Sequence, residues 1–236
     1  MSDVIVMEII KGERKEAERK AADAIAAEIN NLLTQQDTVT LGLVGGTSVA
    51  GVYDWLKETV VDWKKVLVFL VDERMVDVDS DESNFKLIRG AFTHDLVTSG
   101  KMPQENVHPF VYNAEVQDLG VVKYLRQMED IGKKYDVIVV SAGEDGHIGA
   151  LFPRHDSLAS DADCLLAMDD SPKPPARRLT ISRAMVLRSQ VGFVLFFGEG
   201  KKKAYAAFSD LDTKIADCPA SLLHHLPKAY VVTDLS

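Results

Sequence analysis

Short apolar runs alternate along this chain with longer stretches of helical spacing, and this alternation constrains the fold more than any other feature. The runs at 38–44, 65–71, 136–141 and 191–197 are mainly apolar and rich in β-branched residues. Runs of this length without regular polar alternation are typical of strands buried on both faces. We therefore predict an α/β fold, in which helices cover both faces of a parallel-rich open sheet in Rossmann-like layers.

Weaker patterns complete the expected order of elements. Further strands are predicted at 4–10 and 228–233, and short ones at 164–168 and 178–182. The 3.6-residue spacing of apolar positions predicts helices at 12–33, 49–60, 84–97, 116–133, 199–210 and 219–226. In the first two helices, the residues expected to face the core are Ala17, Ala21, Ile25, Ile29 and Leu32, then Val52, Trp55, Leu56 and Val60.

Composition bounds the class of protein. At 236 residues, with no internal repeat or linker, the chain is expected to form one domain over 1–236. The net charge of −9 argues against a nucleic-acid surface, so an anionic substrate would need a local cluster of Arg and Lys. No apolar run approaches the roughly 20 residues of a membrane span, and the N-terminal stretch lacks a signal-peptide pattern. Cys164 and Cys218 lie far apart in sequence, so we expect free thiols and a cytoplasmic location.

The stretch 135–153, YDVIVVSAGEDGHIGALFP, is the strongest candidate for a site. Its apolar run ends at Ser141, and three glycines, Glu144, Asp145 and His147 follow in close order. Such residues are unsuited to a core but suit a tight loop at the carboxyl end of a strand, where open α/β sheets bind ligands. The alternative is a glycine-rich turn with a solvated histidine.

Two other loops also follow apolar runs. The loop Gly45-Gly46-Thr47-Ser48 precedes a helix, so its free N–H groups and two hydroxyls suit a phosphate. It matches no Walker or dinucleotide motif, and an ordinary glycine turn with a Ser/Thr cap is the alternative. The run Asp72-Glu73-Arg74 follows the third strand and could equally be a surface turn. Because parallel strands share one carboxyl edge, we expect the three loops to converge.

The motifs together resemble the 6-phosphogluconolactonase family, whose elements occur here in family order over about residues 38–204. The matching segments are GGTS at 45–48, VDER at 71–74, SNF at 83–85, GEDGHIGALFP at 143–153, SPKPPARRLTIS at 171–182 and GEGKKKA at 198–204. The resemblance implies a sugar-phosphate isomerase-like fold, and a hydrolase of 6-phospho-D-glucono-1,5-lactone that needs no metal or other cofactor. From the charge and the lack of a long apolar run we expect no nucleic-acid or membrane partner, and we expect a monomer or a weak homo-oligomer.

Site roles follow from the resemblance position by position. His147 is implied to be the general base, with Asp72 and Asp145 at the acidic positions of the motifs. Either Asp145 or Glu144 could orient the imidazole ring, and the sequence leaves that choice open. The glycine loop departs from the family's usual G-G-S-T-P, which leaves open whether Thr47 or Ser48 touches the phosphate. The lysine triplet leaves Lys201 and Lys203 as candidates, and spacing from Gly198 favours Lys201. The residues implied or suited to hold substrate and phosphate are Gly45, Gly46, Thr47, Ser48, Arg74, Arg178 and Lys201.

Two other functions compete with the lactonase. Glucosamine-6-phosphate deaminase shares the glycine-histidine loop but carries a glutamate five residues beyond the histidine, where this chain has Phe152. A sugar-phosphate sensor without catalytic activity would keep the phosphate site but would not need His147. Retention of the full GEDGH sequence favours an enzyme over a sensor.

Overall fold

The computed structural model of the protein describes residues 6–235. Seven strands form one sheet in the order β1-β10-β9-β6-β2-β3-β5, and every neighbouring pair is parallel. A second, antiparallel sheet has the order β4-β8-β7. The strands are β1 (Val6–Lys11), β2 (Val39–Leu43), β3 (Val66–Leu70), β4 (Asp72–Arg74), β5 (Val107–His108), β6 (Val137–Ser141), β7 (Leu165–Met168), β8 (Arg178–Ile181), β9 (Val191–Phe196) and β10 (Lys228–Thr233).

Helices alternate with the strands of the parallel sheet. They are α1 (Arg14–Leu33), α2 (Thr47–Leu56), α3 (Asn84–Ile88), α4 (His94–Thr98), α5 (Val121–Asp130), α6 (Asp156–Ala159), α7 (Arg183–Leu187) and α8 (Lys202–Ser209). Short 3-10 turns lie at Trp63–Lys65, Gln104–Asn106, Glu199–Lys201 and Pro219–His225, and a π-helical turn at Arg89–Thr93. None of the helices between residues 6 and 235 has both the length and the apolarity needed to cross a membrane.

The predicted fold class is confirmed by the sheet. Every residue of β2 and of β9 is buried. Because successive side chains of a strand point to opposite faces, a wholly buried strand must be covered on both faces. The short apolar runs therefore form the centre of a parallel α/β layer. The first residues of the predicted strand 4–10 lie outside the described part of the chain.

The core faces of the first two helices were predicted with unequal success. All five expected residues of α1 are buried. In α2, Val52 and Leu56 are buried as predicted, whereas Trp55 is 42% exposed and Val60 is 91% exposed. The helix begins two residues earlier than predicted, at Thr47, and ends at Leu56, so Val60 lies beyond it. Its buried stripe is Val49, Val52, Tyr53 and Leu56, and Trp55 falls outside that stripe.

The helix predicted at 84–97 consists of α3 and α4 joined by the π-helical turn Arg89–Thr93. The helix predicted at 116–133 is shorter, because α5 begins only after Gly120, which adopts a left-handed conformation. Neither difference changes the order of the elements.

The small antiparallel sheet was only partly expected. Strands β7 and β8 match the short runs predicted at 164–168 and 178–182. Strand β4 was predicted as a charged loop or a surface turn, but it pairs with β8 so that Asp72 lies opposite Thr180 and Arg74 opposite Arg178. Its three charged residues carry no strand pattern, and its partner is distant in sequence. This pairing brings Arg178 beside β4, which follows β3 in the chain.

The parallel sheet has a switch point between β2 and β6. These strands are neighbours, but β3 and β5 lie on the β2 side, and β9, β10 and β1 lie on the β6 side. The loops that follow β2 and β6 therefore diverge and leave a crevice at the carboxyl edge, which is where open α/β sheets bind ligands.

Candidate active site

A cleft of about 330 Å³ opens at this carboxyl edge. All but one of the predicted site residues line it, and the exception, Asp145, lies behind His147 and lines a neighbouring groove. The cleft also includes Asn84, Glu144 and Lys173, for which the sequence predicted no binding role. Its lining residues are Val44, Gly45, Gly46, Thr47, Ser48, Asp72, Arg74, Asn84, Ser141, Ala142, Gly143, Glu144, His147, Gly149, Lys173, Arg178 and Lys201.

His147 and Asp145 form a hydrogen-bonded pair. The Nδ1 atom of His147 lies 2.5 Å from Oδ1 of Asp145. Burial acts to raise the pKa of Asp145, but the hydrogen bond to His147 and the charges of His147 and Lys173 outweigh it and hold that pKa well below its usual range. An ionised Asp145 requires Nδ1 to carry the proton, so Nε2 of a neutral His147 is left as a proton acceptor. Within the described residues Asp145, and not Glu144, orients the ring.

Gly143 makes room for the histidine. A β-carbon at this position would lie 2.1 Å from two atoms of the His147 ring, so only glycine allows the imidazole to lie against the loop backbone. The Gly143 N–H also donates to the His147 carbonyl at 2.8 Å, which closes the loop. Gly143 therefore fixes the position of the His147 ring, beyond simply forming a turn.

Phe152 lies beneath the site. Its buried ring packs 4.8 Å from the His147 ring and 5.9 Å from the Arg178 guanidinium carbon. The position at which the deaminase alternative requires a carboxylate is thus occupied by an apolar ring in the packing beneath His147.

Asp72 and Arg178 form a buried ion pair in the cleft wall, with Arg178 Nη1 3.5 Å from Asp72 Oδ2. Burial raises the pKa of Asp72, opposed by the charges of Arg178 and Arg74. Burial lowers the pKa of Arg178, opposed by the charge of Asp72. Arg178 also donates to the carbonyls of Pro174 and Pro175, at 3.0 and 3.2 Å. These contacts hold its guanidinium in one place at the cleft wall.

Glu73 is a structural residue whose function the sequence did not reveal. Its buried carboxylate accepts hydrogen bonds from the N–H groups of Arg74, Asn84 and Phe85, at 2.6 to 2.8 Å, and from the Ser83 hydroxyl at 3.0 Å. It thereby caps the start of α3 and joins it to β4. A carboxylate directly after a predicted strand gave no sign that it would turn inward.

Asn84 is held by this arrangement and lines the cleft. Its side-chain amide donates to the Asp72 carbonyl at 2.9 Å. A β-carbon on Gly45 would lie 2.1 Å from the Asn84 side-chain oxygen, so the glycine loop packs directly on Asn84. The SNF motif therefore couples the loop after β2 to the chain after β3.

Replacing Glu73 by glutamine is expected to lower the free energy of unfolding by about 1–3 kcal/mol, because the amide nitrogen would face N–H donors that need an acceptor. Urea unfolding measures this loss. Glu82→Gln, which changes an exposed carboxylate nearby, is the matched control and should leave stability unchanged. Equal stability of the two variants would contradict the capping function of Glu73.

Lys201 and Lys173 contribute positive charge to the cleft. Lys201 donates through Nζ to the Ala142 carbonyl, and its pKa is lowered by burial and then by the charge of Lys173. Lys173 Nζ lies 3.4 Å from Asp145 Oδ2. Lys203 lines the neighbouring groove instead. The spacing argument that favoured Lys201 over Lys203 agrees with this placement.

The glycine loop and the start of α2 also line the cleft. Gly46 is the N-cap residue of α2, with φ of +101°, and it makes no side-chain cap. The first N–H groups of α2 are therefore available to a ligand, and they lie at the positive end of the helix dipole. Thr47 and Ser48 both line the cleft, so either hydroxyl can reach an anion there. Among residues 6–235, no group of three or more His, Cys, Asp and Glu is arranged to hold a metal ion.

Comparisons with known proteins converge on one family. A family model described as glucosamine-6-phosphate isomerases/6-phosphogluconolactonase matches residues 12–231. The 6-phosphogluconolactonase of Borreliella burgdorferi is 30% identical over 206 residues, which cover 87% of this chain and 88% of that protein.

The solved 6-phosphogluconolactonase of Thermotoga maritima superposes with a TM-score of 0.81 at 23% identity, covering 98% of this chain and 100% of that one. A monomeric glucosamine-6-phosphate deaminase superposes with a TM-score of 0.77 at 20% identity, covering 97% of each chain. At these identities the two superpositions show the fold alone. The fold therefore does not separate the two activities.

Proposed function

Because the chain belongs to the glucosamine-6-phosphate isomerase/6-phosphogluconolactonase family, we propose that it hydrolyses 6-phospho-D-glucono-1,5-lactone to 6-phospho-D-gluconate by attack of a water that His147 activates. This reaction belongs to the oxidative pentose phosphate pathway. The observation that carries the mechanism is the His147–Asp145 pair at a cleft whose walls also hold Arg74, Arg178 and Lys201. The same cleft thus supplies a base and cations for a phosphate.

The phosphate anchors the substrate. In a protein of net charge −9, binding of a doubly charged phosphate requires concentrated positive charge. Lys201, Arg178 and the N–H groups at the start of α2 supply it from three different elements. The lactone ring then extends from the phosphate toward His147.

His147 acts as the general base. Its neutral Nε2 takes a proton from water while the water oxygen attacks the C1 carbonyl carbon. The ionised Asp145 stabilises the imidazolium that forms, and Arg74 and loop N–H groups stabilise the negative charge on the carbonyl oxygen. As the bond between C1 and the ring oxygen breaks, His147 returns its proton to that oxygen, which leaves 6-phosphogluconate with an open chain.

Phe152 favours the lactonase over the deaminase. Ring opening and proton transfer in the deaminase use a glutamate together with the loop histidine. Here the corresponding side chain is a buried phenyl ring packed on His147. A sensor without catalytic activity would not require the oriented base.

Turnover of two substrates tests the assignment. Purified protein should open freshly prepared 6-phosphogluconolactone above the spontaneous rate and should release little ammonia from glucosamine-6-phosphate. Ammonia release at comparable efficiency would overturn the lactonase proposal. Saturable binding of both phosphosugars without turnover of either would instead support the sensor.

Binding of the product, 6-phosphogluconate, is expected to weaken as the pH rises. This weakening should begin at a lower pH than it would if the lysine that binds the phosphate had an ordinary pKa. The lowered pKa of Lys201 means that its charge is present below that pKa and is lost as pH rises through it, while the phosphate keeps its two charges. Titration calorimetry with 6-phosphogluconate between about pH 7 and pH 10 measures this loss. Lys201→Ala should remove the pH dependence and Lys203→Ala should retain it; the same profile in both variants would contradict the placement of Lys201.

The cytoplasmic location and a monomeric or weakly associating state remain our proposals. The observation that agrees with the first is that Cys164 and Cys218 are both free and buried.

A further inference from the structure

We propose that Arg14, at the start of α1, is a positioning residue for phosphate recognition: it holds the glycine loop and the segment that carries Lys201 at a fixed separation. The inference rests on the proposed function and extends it, since the sequence patterns and motifs assign no role to Arg14. Its side chain does not line the cleft, so it acts through the groups that do.

Arg14 contacts three elements at once. Its Nη2 donates to the Ser48 carbonyl at 3.2 Å, and its Nε donates to the Glu18 carboxylate. The guanidinium also lies over the Phe197 ring, with its carbon 4.0 Å from the ring centroid. A planar guanidinium can make all three contacts together, whereas an ammonium cannot.

The two segments that Arg14 joins carry opposite sides of the proposed phosphate site. Ser48 belongs to the first turn of α2 and lines the cleft. Phe197 directly precedes Gly198 and the turn Glu199–Lys201. These segments follow β2 and β9, which are separated in the sheet by β6. No hydrogen bonds of the described sheet therefore join β2 to β9 directly, and Arg14 provides a direct link between the segments that follow them.

Glu18 fixes the direction of the Arg14 side chain. The Glu18 carboxylate is largely buried, and a β-carbon on Gly51 would lie 2.4 Å from its carboxyl carbon. Helix α2 thus packs directly against this ion pair. Burial lowers the pKa of Lys201 most, and the charges of Lys173 and Arg14 add to that effect, so Arg14 is close enough to contribute to the positive potential at Lys201.

Replacing Arg14 by glutamine should therefore weaken recognition of the phosphate and spare the chemistry. We expect KM for the phosphorylated lactone to rise about 5- to 20-fold, with kcat within about twofold of wild type. For gluconolactone without the phosphate, kcat/KM should not change. Arg19→Gln is the matched control, because Arg19 lies on the same helix and covers Trp55 of α2 but is exposed to solvent. It should match the wild type on both substrates.

The Arg14→Lys variant separates the effect of the positive charge of Arg14 from the effect of its contacts. Lysine keeps the charge but cannot hold Glu18 and Ser48 while stacking on Phe197, so KM should lie between those of the wild type and Arg14→Gln. If Arg14→Gln fails to fold, an Arg14→Lys variant indistinguishable from wild type would overturn the proposal. An equal loss of kcat/KM on both lactones, or no loss on either, in a folded Arg14→Gln would also overturn it.

Calorimetric titration with 6-phosphogluconate and with inorganic phosphate gives a readout that does not depend on turnover. Arg14→Gln should weaken both affinities by about the same factor as its rise in KM, about 5- to 20-fold, while Arg19→Gln should weaken neither. If the wild-type protein binds these anions but opens no lactone, the proposed function fails, and the anion titrations alone decide the role of Arg14. Unchanged anion affinity in folded Arg14→Gln would overturn the inference even in an active lactonase.

Discussion

Replacing His147 by glutamine is expected to lower the enzymatic rate of lactone opening by about 10²–10⁴. Glutamine keeps the approximate size and hydrogen bonding of the side chain but cannot take a proton from water. Because the phosphate is held elsewhere, binding of 6-phosphogluconate should stay largely intact. Brief assays corrected for spontaneous opening measure the rate, and calorimetry measures the binding.

His155→Gln is the matched control for this variant. His155 packs on the same Phe152 ring, with ring centroids 5.9 Å apart, but it accepts a hydrogen bond from the Ser157 N–H and does not line the cleft. Its loss should leave kcat near the wild-type value. Near wild-type turnover in folded His147→Gln would assign the base elsewhere, with Asp72 the next candidate. Loss of product binding together with rate would show that His147 holds the ligand instead.

Lys201→Ala should lower kcat/KM for the phosphorylated lactone by about ten- to hundredfold, the usual value of a charge-assisted contact. For gluconolactone without the phosphate, kcat/KM should change little, because the lost contact is to the phosphate. The ratio of the two efficiencies is therefore the quantity to measure.

Lys203→Ala is the control for the loss of one positive charge, because Lys203 lies two residues after Lys201 and lines the neighbouring groove. If Lys203→Ala alone alters the ratio, the phosphate is bound on the other side of the Asp145–Lys173 contact.

Arg178→Ala should also reduce the preference for the phosphorylated lactone, but it leaves Asp72 buried without its partner, which costs about 3–5 kcal/mol of stability. Arg178→Lys is therefore the better companion variant.

The sheet could be predicted from sequence because its signals are local. Apart from Lys65, runs such as 65–71 and 191–197 are apolar, and a chain segment of that kind has few alternatives to a buried parallel strand. The convergence of three loops on one edge followed from the topology alone. Strand β4 could not be predicted, since three charged residues form a strand only when β8, about a hundred residues away in sequence, pairs with them.

The sequence predicted which motif residues form the site, but it did not predict the contacts that these residues make. Sequence left Asp145 and Glu144 as equal partners for His147, because both are adjacent acids, and only the loop geometry places Asp145 Oδ1 on Nδ1. Glu73 and Arg14 gave no signal, because a charged residue at a turn or on a helix is usually solvated. Their contacts depend on which element lies against them, which is a property of the tertiary structure.

The pairing of β4 with β8 has one further consequence. It sets Arg74 and Arg178 directly opposite each other, and like charges in that relation repel across a ladder. Asp72 offsets this repulsion in part, from within its ion pair with Arg178. A phosphorylated ligand bound at this edge would offset more of the repulsion. Binding of the substrate should therefore also raise the free energy of unfolding of this protein. Any anion that binds only the native state stabilises that state by mass action.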